Sequence, residues 1–153
     1  MSAVFKKLNL KDQAEIVVLD APSSFESELK TLTGVTIRRK LSEVKSTGFV
    51  LAFGTRQKQV EAFARAIATK TAGDAVVWFA YPKGSSKRYV CEFNRDSGWA
   101  SIGAAGFEPV RQVAIDEDWS ALRFRRVEHI KTLTRSRLDA ISAEGRRRIK
   151  GKP

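Results

Sequence analysis

The sequence predicts an α/β fold: a mostly parallel sheet covered by helices and completed by an antiparallel C-terminal hairpin. Three short, unbroken apolar runs carry that expectation, at residues 16–19, 49–53 and 75–80. A strand open to water on one face alternates apolar with polar residues, so unbroken runs belong to strands buried on both faces. Between the runs lie segments whose apolar residues recur at spacings of three and four, as on one face of a helix. Buried strand alternating with amphipathic helix is the pattern of a parallel sheet.

In chain order, Ile16-Val17-Val18-Leu19 forms the first strand and Pro22 stops it. Ser23 and Glu26 have capping-box spacing for a helix carrying Phe25, Leu29 and Leu32, which Gly34 closes. Residues 35–41 can form a second strand, and its basic run Arg38-Arg39-Lys40 suggests a frayed or edge location. The run at 49–53 ends at Gly54, and Thr55 caps a helix with Val60, Phe63, Ala64 and Ile67 on one face. Gly73-Asp74 turns the chain into the third run. A polar loop follows at 83–88, and residues 89–94 read equally as strand or loop. Asp96 caps a short helix containing Trp99 and Ile102, ended by Gly106. Residues 107–115 and 119–127 make a hairpin around Asp116-Glu117-Asp118. An amphipathic helix with Ile130, Leu133, Leu138 and Ile141 comes next, then a basic tail expected to be disordered. The division is therefore a folded unit over 1–127 and an appended segment over 128–153.

The chain has 153 residues, 42% hydrophobic and 29% charged, a globular composition for one domain. No run of about 18 apolar residues is available to span a membrane, and residues 1–11 lack the apolar stretch of a secretory signal. Cys91 is the only cysteine, so no intramolecular disulfide forms, and a lone thiol suits the cytoplasm. The net charge of +11 is concentrated at one end. Residues 123–153 hold eleven Lys/Arg against three Asp/Glu, leaving +3 for the first 122 residues. A polyanion partner is expected there, through Arg146, Arg147, Arg148, Lys150 and Lys152. Residues 128–153 contain no aromatic side chain, so contact with nucleic acid would be non-specific and without base stacking. The plain alternative is a solubilising tail.

The segments Trp78-Phe79-Ala80-Tyr81-Pro82-Lys83 and Ala114-Ile115-Asp116-Glu117-Asp118-Trp119-Ser120-Ala121-Leu122-Arg123-Phe124 resemble a family of small bacterial proteins. That family is known as domain of unknown function three thousand fifty-two. Lys7-Leu8, Ala21-Pro22 and Phe25 fit it too, and the resemblance spans about residues 5–127. It implies a three-layer Rossmann-like fold laid out as in the class I methyltransferases, and it brings no established activity and no catalytic residue. The element order supports the same layout. The cofactor motif does not: the turn after the first strand is Asp20-Ala21-Pro22-Ser23-Ser24, without the glycine that lets a backbone approach adenosylmethionine. Arg38-Arg39-Lys40 replaces the acidic residue expected to bind ribose. No cofactor is identified, and adenosylmethionine is not expected to bind.

Ligands of open α/β sheets bind beyond the carboxyl ends of the strands. The candidates at those ends are Asp20, Ser23, Ser24, Gly54, Thr55, Arg56, Tyr81, Lys83, Ser85 and Lys87, which offer hydroxyls, positive charge and two helix N-termini to a small anion. Against this, Ser23 and Thr55 could serve only as caps. Asp116-Glu117-Asp118 fits a turn better than a metal site, because adjacent carboxylates diverge, and Trp119 fits packing beneath it. Lys87, Arg88 and Arg95 are expected to lower the Cys91 pKa, yet no histidine accompanies the thiol; His129 is the only one and lies far from every strand end. The leading reading is a non-enzymatic or vestigial Rossmann-like cytosolic protein making weak nucleic-acid contacts through its tail. The alternatives are a divergent transferase with an anionic ligand or cofactor at the strand ends, and a protein–protein interaction module. The sequence does not fix the oligomeric state.

Overall fold

The computed structural model describes residues 2–94, 97–130 and Ile141. Its elements in order are α1 (Ala3–Lys7), β1 (Glu15–Leu19), α2 (Glu26–Leu29), β2 (Thr36–Arg38), β3 (Thr47–Phe53), α3 (Gln57–Lys70), β4 (Thr71–Pro82), α4 (Ala100–Ala104), β5 (Phe107–Ala114) and β6 (Trp119–Arg126). One six-stranded sheet runs in the order β2-β1-β3-β4-β6-β5. The first four strands are parallel, and the hairpin joins them through β6, which lies antiparallel to β4. The three apolar runs are therefore adjacent, parallel and central, as expected of strands buried on both faces.

Alternate side chains of each central strand feed two cores. Val17, Val50, Val77 and Phe79 pack on α3 through Val60, Phe63, Ala64 and Ile67. Ile16, Val18, Leu51 and Trp78 pack on the other face against Phe5, Leu8, Phe25 and Leu29. Burying an aliphatic or aromatic side chain contributes about 1.5–3 kcal/mol, so these layers carry the fold. Trp78 is fully buried, and its indole Nε1 donates to the Leu8 carbonyl at 2.8 Å, tying α1 to the sheet.

Several local expectations are corrected. The N-terminal residues show no helical pattern in sequence, yet α1 forms there, with the Phe5 amide donating to Ser2 Oγ at 3.5 Å. The Ser23–Glu26 capping box does not form: Ser23–Phe25 is a 3-10 turn entered from Pro22, and only one helical turn follows. Glu26 instead accepts two hydrogen bonds from the Arg39 guanidinium at 2.9 Å each, which hold its carboxyl below the usual range. The second strand shrinks to Thr36–Arg38, at the sheet edge its basic run predicts. Gly73-Asp74 does not precede β4 but lies inside it, where the pairing jumps from Thr47↔Thr71 to Phe49↔Val76 and Gly73 takes φ 58°. Trp99 stands at the N-terminus of α4, while Asp96, its expected cap, lies outside the described residues. The helix expected from Glu128 begins instead as a 3-10 turn over Val127–His129, and the rest of it, apart from Ile130 and Ile141, lies outside the described residues. The Ile141 amide donates to Glu108 Oε1 at 3.0 Å. Among the described residues no helix is long and apolar enough to cross a membrane.

Candidate functional site

The chain leaves β1 for β2 on one side and returns to β3 on the other, which makes the carboxyl ends of β1 and β3 the switch point of the sheet. A cavity of about 260 Å³ opens there, lined chiefly by apolar side chains, with Asp20 and Gln59 as its polar groups. Asp20 takes φ 56°, a left-handed conformation that costs a non-glycine residue free energy.

At the N-terminus of α3, one of the two expected anion sites, the amides of Thr55, Arg56 and Gln57 are taken by side chains of the same chain. Gln59 Oε1 accepts from the amides of Thr55 (2.9 Å) and Arg56 (3.0 Å). Glu92 Oε1 accepts from the Gln57 amide at 2.8 Å, and the Glu92 amide donates back to the Thr55 carbonyl at 2.9 Å. Gln57 Nε2 then holds the Gly98 carbonyl at 2.7 Å. Four residues expected to recognise a ligand also have structural roles within the fold. Thr55 and Arg56 give their amides to Gln59, and the helix begins after Arg56 rather than Thr55. Gly54 serves packing, since a Cβ there would meet Phe79 Cζ at 2.7 Å. Ser23 heads a 3-10 turn rather than the N-terminus of a helix that could draw an anion.

A second cavity of about 680 Å³ lies beyond β4, lined by Tyr81, Lys83, Ser86, Cys91, Glu92 and Gln112 among others. That volume is in the range of small-ligand sites. Gln112 Nε2 donates to the Tyr81 hydroxyl at 2.9 Å. The loop is stitched to the hairpin turn, because Ser86 Oγ donates to Asp118 Oδ1 at 2.8 Å and the Lys83 amide to the Asp118 carbonyl at 2.7 Å. Phe93 lines the cavity, and its ring and that of Trp99 stand 5.9 and 5.6 Å from Phe79. The Cys91 thiol is pushed up, above all by burial, against the lowering expected from its basic neighbours. A raised thiol is a poor nucleophile at neutral pH.

The structure therefore divides the predicted residues. Asp20 lines the first cavity, Tyr81 and Lys83 the second, and Ser23, Ser24, Ser85 and Lys87 line neither. Sequence reasoning misses Gln59, Glu92 and Gln112. Gln59 carries a signal, since it stands three residues after Arg56 with capping-box spacing. Glu92 is 35 residues from its partner and carries none. Asp116 Oδ1 accepts from the amides of Asp118 and Trp119 at 2.8 Å, so the acidic triplet is a turn, and the described residues contain no group of three or more potential metal ligands. Trp119 packs between Phe53 and Tyr89. The tail residues Arg146, Arg147, Arg148, Lys150 and Lys152 lie outside the described residues.

No family model matches the chain, and no curated protein matches it. Solved structures do. TrmN from Thermus thermophilus superposes with a TM-score of 0.50 at 9% identity, over 82% of this chain and 47% of that one. The chain thus spans about half the length of TrmN. The N-methyltransferase NodS from Bradyrhizobium japonicum WM9 gives 0.49 at 11% identity, over 79% and 91% of the two chains. The chain has a methyltransferase-like α/β fold. At such identities the likeness is one of fold alone. Adenosylmethionine, which that fold implies, does not fit the residues present: the turn after β1 is Asp20-Ala21-Pro22, the Gln57 amide opening α3 is bound to Glu92, and the Thr55 and Arg56 amides just before it are bound to Gln59.

Proposed function

We propose that this chain is a non-catalytic binding protein on a methyltransferase-like fold, with phosphate polyanions as partners and the cytoplasm as its compartment. The observation that carries the reading is the closure of the α3 N-terminus by Glu92 and Gln59, with Phe93 and Trp99 packed on Phe79 beside it. A cofactor entering at this edge would have to displace hydrogen bonds and an aromatic cluster the fold already uses. The partner is inferred from charge, eleven Lys/Arg against three Asp/Glu over 123–153, which suits contact with phosphates without sequence preference. The compartment is inferred from the lone Cys91. Kinship with the bacterial family of unknown function is part of the proposal, and rests on the segments at 78–83 and 114–124.

Calorimetric titration with adenosylmethionine tests the carrying observation. No saturable heat is expected, and a dissociation constant at or below about 10 μM, near −7 kcal/mol, would overturn it. That outcome would promote the second reading, a divergent transferase. Its one specific support is the left-handed Asp20 beside the switch-point cavity, since backbone strain concentrates at functional sites.

A further inference from the structure

We propose that Arg111 and Arg123 form an oxyanion seat on the β5–β6 hairpin, built for a phosphate group. The two are cross-strand partners, so their side chains leave the same face of the sheet. On β6 that face also carries Ala121 and Trp119, which pack in one core with Phe5 and Leu8 near α1. Further along the strand the apolar layer ends, and Arg123 and Arg125 take its place.

Three guanidinium groups share this patch, and its acids are committed elsewhere. Arg125 is answered by Asp74, donating to Oδ1 at 2.7 Å and Oδ2 at 2.6 Å. Glu108, opposite Arg125 on β5, accepts from the Ile141 amide. Neither Arg111 nor Arg123 makes an ion pair with any described residue. Arg123 Nε is buried and has no hydrogen-bond partner among the described residues. Burial, then the charges of Arg125 and Arg111, pull the Arg123 pKa below its usual value, while Asp74 opposes them only in part. Like charges directly opposite on a sheet destabilise it. An oxyanion between the two guanidinium groups would reverse each of these penalties, and guanidinium groups match phosphate oxygens with paired, charge-assisted hydrogen bonds. The bulge between Pro109 and Arg111, with Val110 41% exposed, sets Arg111 opposite Arg123. The seat lies on the hairpin and not on the tail, so its failure and the failure of the polyanion reading are separately visible.

The phosphate could be a free ion or part of a nucleic-acid backbone, and two arms distinguish them. In the first, inorganic phosphate is titrated into the full-length chain at constant ionic strength while the arginine Nε–Hε resonances are followed by NMR. The Arg123 signal should move saturably, and Arg111→Gln should weaken the binding about tenfold. In the second, binding of a random-sequence duplex is measured across a salt series for the wild type and for Arg111→Gln/Arg123→Gln. A log–log salt slope shallower by about 0.9 in the variant, for the one phosphate the seat holds, assigns the seat to backbone phosphate, and an unchanged slope assigns it to the free ion. If phosphate moves the Arg123 resonance no more than chloride does, the proposal is wrong whatever the duplex shows. Should the double variant fail to fold, Arg111→Gln alone, at an exposed edge position, carries both arms.

Discussion

The parallel half of the sheet and the hairpin that completes it solve different problems. In β1, β3 and β4 nearly every side chain of the apolar runs is buried on one face or the other, and charge is absent from those runs. In the hairpin, Phe124 and Leu122 face the core with α3, while Arg123 and Arg125 occupy the opposite face beyond the reach of the apolar layer. Where helices cover both faces, charge would be stranded. The difference teaches that the apolar runs lie on one side of the sheet and the cross-strand charge on the hairpin at the other, which is where the proposed contact is placed.

The comparison is broken most severely by emptying the parallel half. Trp78→Ala removes a fully buried indole and its bond to the Leu8 carbonyl, and should cost about 3–5 kcal/mol in urea unfolding. A loss below about 1 kcal/mol would mean that α1 and the central strands are not one core. The hairpin charges should matter far less to stability. Asp74→Asn breaks the pair with Arg125, both side chains about a third exposed, and should cost no more than about 1 kcal/mol. Arg125 lowers the Asp74 pKa through its hydrogen bonds, so the pair's contribution is present above the unfolded value of 3.8 and fades as pH falls through the lower folded value. A pH series should show wild type and Asp74→Asn converging in strong acid. The same variant sharpens the comparison, because removing the carboxylate beside the arginines should tighten phosphate binding.

How much of this is legible in the sequence depends on the range of the interaction. The three apolar runs announce the central strands because burial on both faces leaves its mark residue by residue. The hairpin is legible from the Asp116 turn. The arginine pair is not: with a regular register Arg123 would oppose Val110, and the bulge after Pro109 brings Arg111 there instead. The site at the strand ends is half legible. Asp20, Tyr81 and Lys83 line cavities as expected, but the place expected for an anion at α3 is taken by Glu92, a side chain from a loop with no periodicity to read. α1 escapes because five helical residues, held by Ser2 and the underside of the sheet, leave too short a pattern.

The central claim, that polyanions are met at the hairpin end and beyond it, is tested most directly by fluorescence anisotropy. A random-sequence duplex is titrated with the full chain and with a chain lacking residues 146–153, across a salt series. Those residues include five basic side chains and none of the buried core found among the described residues. The full chain should bind with a dissociation constant on the order of 10⁻⁴ to 10⁻⁶ M at physiological salt. The shortened chain should melt at the same temperature and bind more weakly, with a salt slope shallower by up to about 0.9 for each phosphate it no longer neutralises. Equal affinities and equal slopes for the two chains, or no binding by either at low salt, would contradict the account.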